Sequence, residues 1–242
     1  MNLNEYDRMF ELEDKYWWFV GRRFLAVTLF KRLGNLHGKV LDLGCGTGAV
    51  LAEFSNLTES VGLDMSMVAL KFASSRKDFN LVQASGTDMP FGAETFDSVV
   101  GLDVFEHIEN HEAAFKECYR VLRPGGKLIL SVPAFKMLWG PHDVALHHFR
   151  RYRKSEVVDI ITASGFEPVK VSYSLFFLYP VVLVVRFFEK RRRGQVAASL
   201  PKLWTPLNGL LINLQAMEAH IISKINLPWG SSVVAIALKP MK

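Results

Sequence analysis

Cysteine is scarce in this chain of 242 residues: Cys45 and Cys118 are the only two, too few for a disulfide framework. The opening MNLNEYDRMFELEDKYWWF has no apolar core of the signal-peptide kind, so reduced thiols and a cytoplasmic setting are expected. Long apolar runs are missing as well. The longest, SLFFLYPVVLVV, has twelve residues with Pro180 inside it, well short of the roughly 20 that a membrane-spanning helix needs. Low-complexity sequence is absent, and 50% hydrophobic against 22% charged residues is enough to bury a sizeable core. Disordered and fibrous classes are excluded, and the length suits one α/β domain with an extra piece.

Charge is unevenly placed. Residues 1–150 hold 16 Lys and Arg against 19 Asp and Glu, a balance of −3, whereas residues 151–242 hold 13 against 5, a balance of +8. A nucleic-acid binder spreads its cations along a reading surface. Here the excess gathers in FRRYRK and RFFEKRRR, beside very apolar sequence. An anionic membrane surface is therefore the expected partner, and nucleic acid is not.

Strand-like and helix-like segments alternate. KYWWFVGRRFLAVTLFKRL carries apolar residues at mixed three- and four-residue spacing, which predicts a helix or two ending near Gly34. KVLDLG, ESVGLD, FNLVQA, FDSVVGLD and GKLILSVP are short apolar runs bounded by Gly, Asp, Asn or Pro, with AVLAEF, MVALKFASS and EAAFKECYRVL as helical segments between them. Such alternation predicts βαβ units: a three-layer α/β sandwich whose mostly parallel sheet binds its ligand at the carboxyl ends of the strands. Residues 154–164 read as one more helix, FEPVKVSYS as a strand and SSVVAIALK as the last strand. The expected organisation is an N-terminal helical cap over 1–34, a ligand-binding domain over 35–174 and 231–242, and a helical insertion over 175–230, before the last strand.

VLDLGCGTG is a strand running into a glycine turn that opens a helix. Gly44, Gly46 and Gly48 let backbone turn tightly and leave room for a ligand that Cβ atoms would fill. The spacing G-x-G-x-G brings the third glycine one residue early for a dinucleotide fingerprint. Asp64, about twenty residues on and at the end of the next strand, is placed to accept hydrogen bonds from both hydroxyls of a ribose. Together they indicate an adenosine ligand.

With these motifs the sequence resembles the class I S-adenosylmethionine-dependent methyltransferases over roughly residues 35–172 and 231–239. VLDLGCGTG and VGLDMS match the first two motifs of that family, and FDSVVGLDVFEHIEN with YRVLRPGGKLILSVP matches its fourth- and fifth-strand segments. The resemblance implies a seven-stranded Rossmann-like sheet and S-adenosyl-L-methionine as cofactor. It implies that Gly44, Gly46 and Gly48 pack against the methionine and ribose, that Asp64 binds the ribose and that Met65 lies on the adenine. Ser85 and Gly86 fall where the family has an Asp-Ala or Asn-Ala pair near the adenine amino group. In the family an N-terminal helix closes over the cofactor, which offers Trp17 or Trp18 as a lid and Arg22 as partner of the methionine carboxylate; an aromatic core stripe is the plainer reading. Asp42, Cys45, Thr47 and Asp103 complete the expected cofactor set, Cys45 as a small filler rather than a nucleophile.

Methyl transfer to a hydroxyl needs alignment and removal of a proton. Asp103, Glu106 and His107 follow the fourth strand and share one face if they begin a helical turn. WGPHDVALHHFRRYR brings His142, Asp143, His147 and His148 to the same edge. His107 is the candidate base or acceptor-orienting group, with Glu106 and His148 beside it. The segment also resembles the metal-binding stretch of ubiquinone-pathway O-methyltransferases, which admits Mg²⁺, Mn²⁺ or Zn²⁺ on Asp103, Glu106, His107 and His148; a site without metal is favoured.

In the insertion, an apolar run leads into Arg186, Lys190, Arg191, Arg192 and Arg193, and Leu207, Leu210, Leu211, Leu214, Met217, Ile221 and Ile225 fall near one helical face. An apolar wedge beside cations is the pattern of an interfacial segment; a docked helical pair or a dimer interface is the plainer alternative. The expected activity is methylation, most readily O-methylation, of a small hydrophobic or lipid-linked acceptor by a cytoplasmic, peripherally membrane-associated enzyme. The rival from another class is a non-catalytic S-adenosylmethionine-binding partner protein recruited to membranes.

Overall fold

The computed structural model describes residues 3–33, 38–191 and 203–241. Its centre is one seven-stranded sheet: β1 (Val40–Leu43), β2 (Ser60–Asp64), β3 (Asn80–Gln83), β4 (Phe96–Leu102), β5 (Leu122–Pro133), β6 (Glu167–Ser174) and β7 (Ser232–Leu238). The order across the sheet is β3-β2-β1-β4-β5-β7-β6. All pairings are parallel except those of β7, which runs antiparallel to β5 and β6. The order reverses between β1 and β4, and a ligand crevice opens at such a switch point.

The near-continuous apolar runs of the sequence reflect burial on both faces. Leu128, Leu130 and Val132 of β5 face one core with Phe115 and Cys118 of α5 (His111–Val121) and Val157 and Ile161 of α7 (Lys154–Ala163). Ile129 faces the other core, with Leu29 and Phe30 of α2 (Trp17–Leu33), Phe54 of α3 (Ala49–Ser55) and Ile222 of α9 (Thr205–Lys224). The period of two sorts successive residues of one strand into two helical layers. Between α3 and α5 lies α4 (Met67–Arg76), capped by Ser66, whose Oγ accepts from Ala69 N.

The polar start forms a helix of its own, α1 (Leu3–Leu12), laid against α4 through Phe10 and Phe72, whose ring centroids are 5.3 Å apart. The insertion forms α8 (Tyr179–Arg191) and α9. The turn expected near Gly34 and the cations Arg192 and Arg193 lie outside the described residues. Among the described residues no helix is long and apolar enough to cross a membrane.

Candidate active site

The glycine turn is closely packed and needs its glycines. Gly44 (φ 69°) and Gly46 (φ 55°) take left-handed backbone. A Cβ on Gly44 would lie 2.5 Å from Val104 Cγ2, and one on Gly46 2.8 Å from Met9 Cε of α1. From the neighbouring strand, the Asp64 carboxylate accepts from Gly46 N at 2.9 Å and from Ser66 N at 2.8 Å. These bonds fix its position, and burial raises its pKa. Thr47, fully buried, donates to Glu13 Oε1 at 2.6 Å, and Arg76 reaches the same oxygen at 2.6 Å. A buried network thus ties the cap to the turn.

Asp42 lies 2% exposed at the end of β1; its Oδ2 has no hydrogen-bond partner, and burial pushes its pKa up to about 8. Above it, Arg22 Nη1 donates to Asp103 Oδ2 at 2.6 Å, while its buried Nε has no partner. Burial alone would raise Asp103, yet Arg22 and the Ser131 hydroxyl, 2.6 Å from Oδ1, hold it below the usual carboxylate range. A cavity of about 30 Å³ opens here, lined among others by Trp18, Arg22, Asp103, Ser131, Gln215 and Glu218. Bare glycine backbone, an anchored Asp64, an orphaned acceptor and an orphaned guanidinium nitrogen fit a ligand with a ribose diol, an ammonium and a carboxylate.

Of the two lid tryptophans it is Trp18 that lines this cavity, with the Arg22 guanidinium 4.8 Å from its ring centroid. Trp17 is held by α9 instead: its N–H donates to Asn208 Oδ1 at 2.9 Å and its carbonyl accepts from Gln215 at 3.3 Å. Met65 is 74% exposed, Ser85 shares its hydroxyl with Thr87 at 2.8 Å, and Gly86 packs against Leu43 and Ile108. Burial pushes the Cys45 thiol well up, which leaves it inert.

The acceptor side gathers at the ends of β4 and β5. Phe105–His107 form one tight 3₁₀ turn. Asp103, at φ 52°, points to Arg22, so the expected Asp103, Glu106 and His107 face does not form. The group with donor atoms within 4.8 Å of one another is Glu106, His107 and His148. Glu106 is 1% exposed, neither oxygen has a partner, and burial and then Asp103 raise its pKa well above normal. Burial, then His148, lowers His107 to about 4. The His107 and His148 rings meet edge to face at 4.5 Å. His148 Nδ1 lies 3.0 Å from Asp143 Oδ1, and Arg151 binds both oxygens of that fully buried carboxylate at 2.7 and 3.1 Å. Burial of Asp143 is outweighed by these bonds, which hold its pKa well down. One carboxylate and two imidazoles are also a donor set that suits a divalent metal.

Strained backbone marks the same edge. Asp103 directly follows β4, Phe135 (φ 55°) lies two residues past β5, and Leu175 (φ 60°) directly follows β6. Each such residue costs on the order of 1–3 kcal/mol and persists where its surroundings hold it. Glu218 of α9 holds Leu175, accepting from its N–H at 2.5 Å and from Phe177 N–H at 3.2 Å. A wider groove of about 640 Å³ lies at the opposite edge of the sheet, but its charges are paired, Lys39 with Glu59 at 2.8 Å and Arg123 with Asp97 at 2.6 Å.

Sequence reasoning placed Asp143 at this edge without its role as the partner of His148 and Arg151, and it missed Glu13, Gln215 and Glu218. Gln215 and Glu218 carried a signal, two polar residues three apart and so on one face of α9.

Residues 41–130 match the family model described as a methyltransferase domain. The malonyl-[acyl-carrier protein] O-methyltransferase of Methylococcus capsulatus is 29% identical over 180 residues, 69% of this chain and 65% of that protein. The mitochondrial ubiquinone biosynthesis O-methyltransferase of Rattus norvegicus is 35% identical over 103 residues, 38% of this chain and 30% of that protein. The chain thus spans less than two thirds of either relative. A solved S-adenosylmethionine-dependent methyltransferase of Thermotoga maritima shares the fold, with a TM-score of 0.64 and 20% identity over 98% of this chain and 95% of that one. The match over residues 41–130, these relatives and the shared fold together support a class I S-adenosylmethionine-dependent methyltransferase. Its cofactor is S-adenosyl-L-methionine, the ligand that the glycine turn and the orphaned groups around Arg22 fit.

Proposed function

We propose that the protein methylates a hydroxyl group on a small, hydrophobic or lipid-linked acceptor, working at the surface of an anionic membrane. The observation that carries this is the group of buried Glu106 and half-buried His107 and His148, with His148 held from behind by Asp143. Two relatives named as O-methyltransferases support the same chemistry.

In this reading Asp64 accepts from the ribose hydroxyls, Met65 and the Ser85–Gly86 turn flank the adenine, and the backbone of Gly44, Cys45, Gly46, Thr47 and Gly48 lies along the ribose and methionine. Arg22 takes the methionine carboxylate, and Asp42 with Asp103 receives the ammonium. Trp18 covers this end. The bound cofactor supplies an electrophilic methyl group on a sulfonium. His107, neutral because its pKa is lowered to about 4, takes the acceptor's proton or orients its hydroxyl, with His148 and Glu106 beside it. The acceptor oxygen would gain the methyl as the methyl–sulfur bond breaks, its electron pair staying on sulfur to leave S-adenosylhomocysteine, and the acceptor's own proton is lost.

A second reading is favoured by the orphaned oxygens of Glu106: Glu106, His107 and His148 would hold a divalent metal, which would supply Lewis-acid polarisation of the acceptor hydroxyl. Incubation with labelled S-adenosylmethionine and a membrane lipid extract tests the function. Label is expected in the lipid fraction; label confined to water-soluble products would overturn the choice of acceptor.

A further inference from the structure

Both helices of the insertion present large apolar side chains to solvent. On α8, Phe177 just before the helix and then Val181, Val184, Val185 and Phe188 form one exposed face, the last four at 58, 55, 47 and 58% exposure. The charged pair of the same helix points the other way: Arg186 Nη1 meets Glu189 at 2.8 Å, with side chains 17% and 27% exposed. On α9 Leu207, Leu210 and Met217 are exposed and Gln215 and Glu218 are buried, while Ala219 and Ile222 face the core. A helix in water lowers its free energy by the opposite arrangement.

We propose that the outward apolar face of α8 seats in the headgroup layer of an anionic bilayer, and that the acceptor enters the site sideways from that layer. The inference rests on the apolar acceptor proposed above and adds the surface that meets it. Charge selects the occupant. The acid on α8, Glu189, is turned inward onto Arg186, the same helix runs into the cations of RFFEKRRR, and residues 151–242 carry the balance of +8. Apolar side chains beside Lys and Arg suit anionic headgroups over an acyl boundary. Position links this face to the chemistry. Tyr179, at the start of α8, has its ring centroid 6.0 Å from that of Phe135. Arg186 lies against Gly140, where a Cβ would be 2.9 Å from its Nη1, and Gly140 opens the segment that carries Asp143 and His148. The exposed helix therefore stands beside the acceptor mouth.

Flotation of the full chain with phosphatidylcholine vesicles, with and without phosphatidylglycerol, tests this. Binding is expected to require phosphatidylglycerol and to weaken as salt rises. Val184→Asp with Phe188→Asp should lower vesicle affinity at least about tenfold, and so should Arg191→Ser, Arg192→Ser and Arg193→Ser together. Affinity for S-adenosylhomocysteine, measured by calorimetry, should be unchanged in both variants and certifies that each is folded. Absence of vesicle binding at low salt overturns the proposal. So does a wild-type dimer in sedimentation that the Asp pair converts to monomer, because the face then belongs to a second copy. Vesicle binding without methyl transfer to lipid would overturn the acceptor reading and leave the membrane surface standing.

Discussion

Replacing Arg22 by Met separates two roles of one side chain. Arg22 is the cation among three carboxylates: it touches Asp103 at 2.6 Å and helps hold that carboxyl below its usual range, while it only partly offsets the burial that raises Asp42 and Glu106. Removing one partner of a buried ion pair costs about 3–5 kcal/mol. With side chains 21% and 15% exposed the pair is only partly buried, so the lower end applies, about 3 kcal/mol. For a chain of this length that is a fall in Tm of roughly 6–12 °C. Asp103→Asn added to Arg22→Met should recover all but about 1 kcal/mol, because no charge is then left unpaired. Cofactor affinity should not recover. Loss of a charged hydrogen bond to the methionine carboxylate, about 1.5–3 kcal/mol, predicts S-adenosylhomocysteine binding weaker by roughly 10- to 150-fold in Arg22→Met, and weaker still in the double variant, where Asp103 no longer offers a carboxylate to the ammonium. Calorimetric unfolding and titration calorimetry on the four proteins of the cycle measure both quantities. Wild-type affinity in Arg22→Met would refute the placement of the methionine carboxylate; an unchanged Tm would refute the view of the ion pair.

Other consequences are open to direct measurement. His107→Ala should cut turnover by roughly 10²–10⁴ with little change in cofactor affinity; equal loss in both would make His107 a structural residue. In metal-free protein the His107 ring should titrate near pH 4 by NMR, and His148→Ala should raise that midpoint, because burial and then His148 hold it down. The folded value lies below the free one, so the stability His107 contributes is complete above about pH 6.5 and is lost as pH falls towards 4. Exhaustive chelation should leave S-adenosylhomocysteine affinity untouched, since Glu106, His107 and His148 lie off the proposed cofactor contacts. Methyl transfer that survives chelation would discard the metal reading, and transfer restored by Mn²⁺ or Zn²⁺ would select it.

What the sequence made legible is whatever depends on local spacing. The central strands are continuous apolar runs because both their faces are buried, the edge strands β3 and β6 are shorter-range apolar and partly exposed, and the glycine turn follows from alternate glycines after a strand. What stayed hidden depends on long-range closure. Asp103, Glu106 and His107 share a face only in a regular helix; a left-handed Asp103 and a 3₁₀ turn separate them, and His148 comes from another segment. Apolar spacing on α9 locates a stripe but not its direction, because the sign of burial is set by what α9 meets. There Gln215 lies against Gly21 and Glu218 caps the strained Leu175.

The same contacts decide how independent the insertion is. Its place between β6 and β7 suggests a segment free to vary without disturbing the cofactor turn. Three side chains of α9 argue otherwise. Asn208 accepts from Trp17 N–H and donates to the Lys15 carbonyl, Gln215 donates to the Trp17 carbonyl, and Glu218 lines the cavity that Arg22 and Asp103 share. Lys15 and Trp17 lie at the junction of α1 and α2, so α9 is bonded to the backbone that leads into the helix carrying Arg22. Each bond is worth only about 1 kcal/mol, but Gln215 and Glu218 line the same cavity as Arg22 and Asp103. A substitution in α9 therefore reaches the crevice directly.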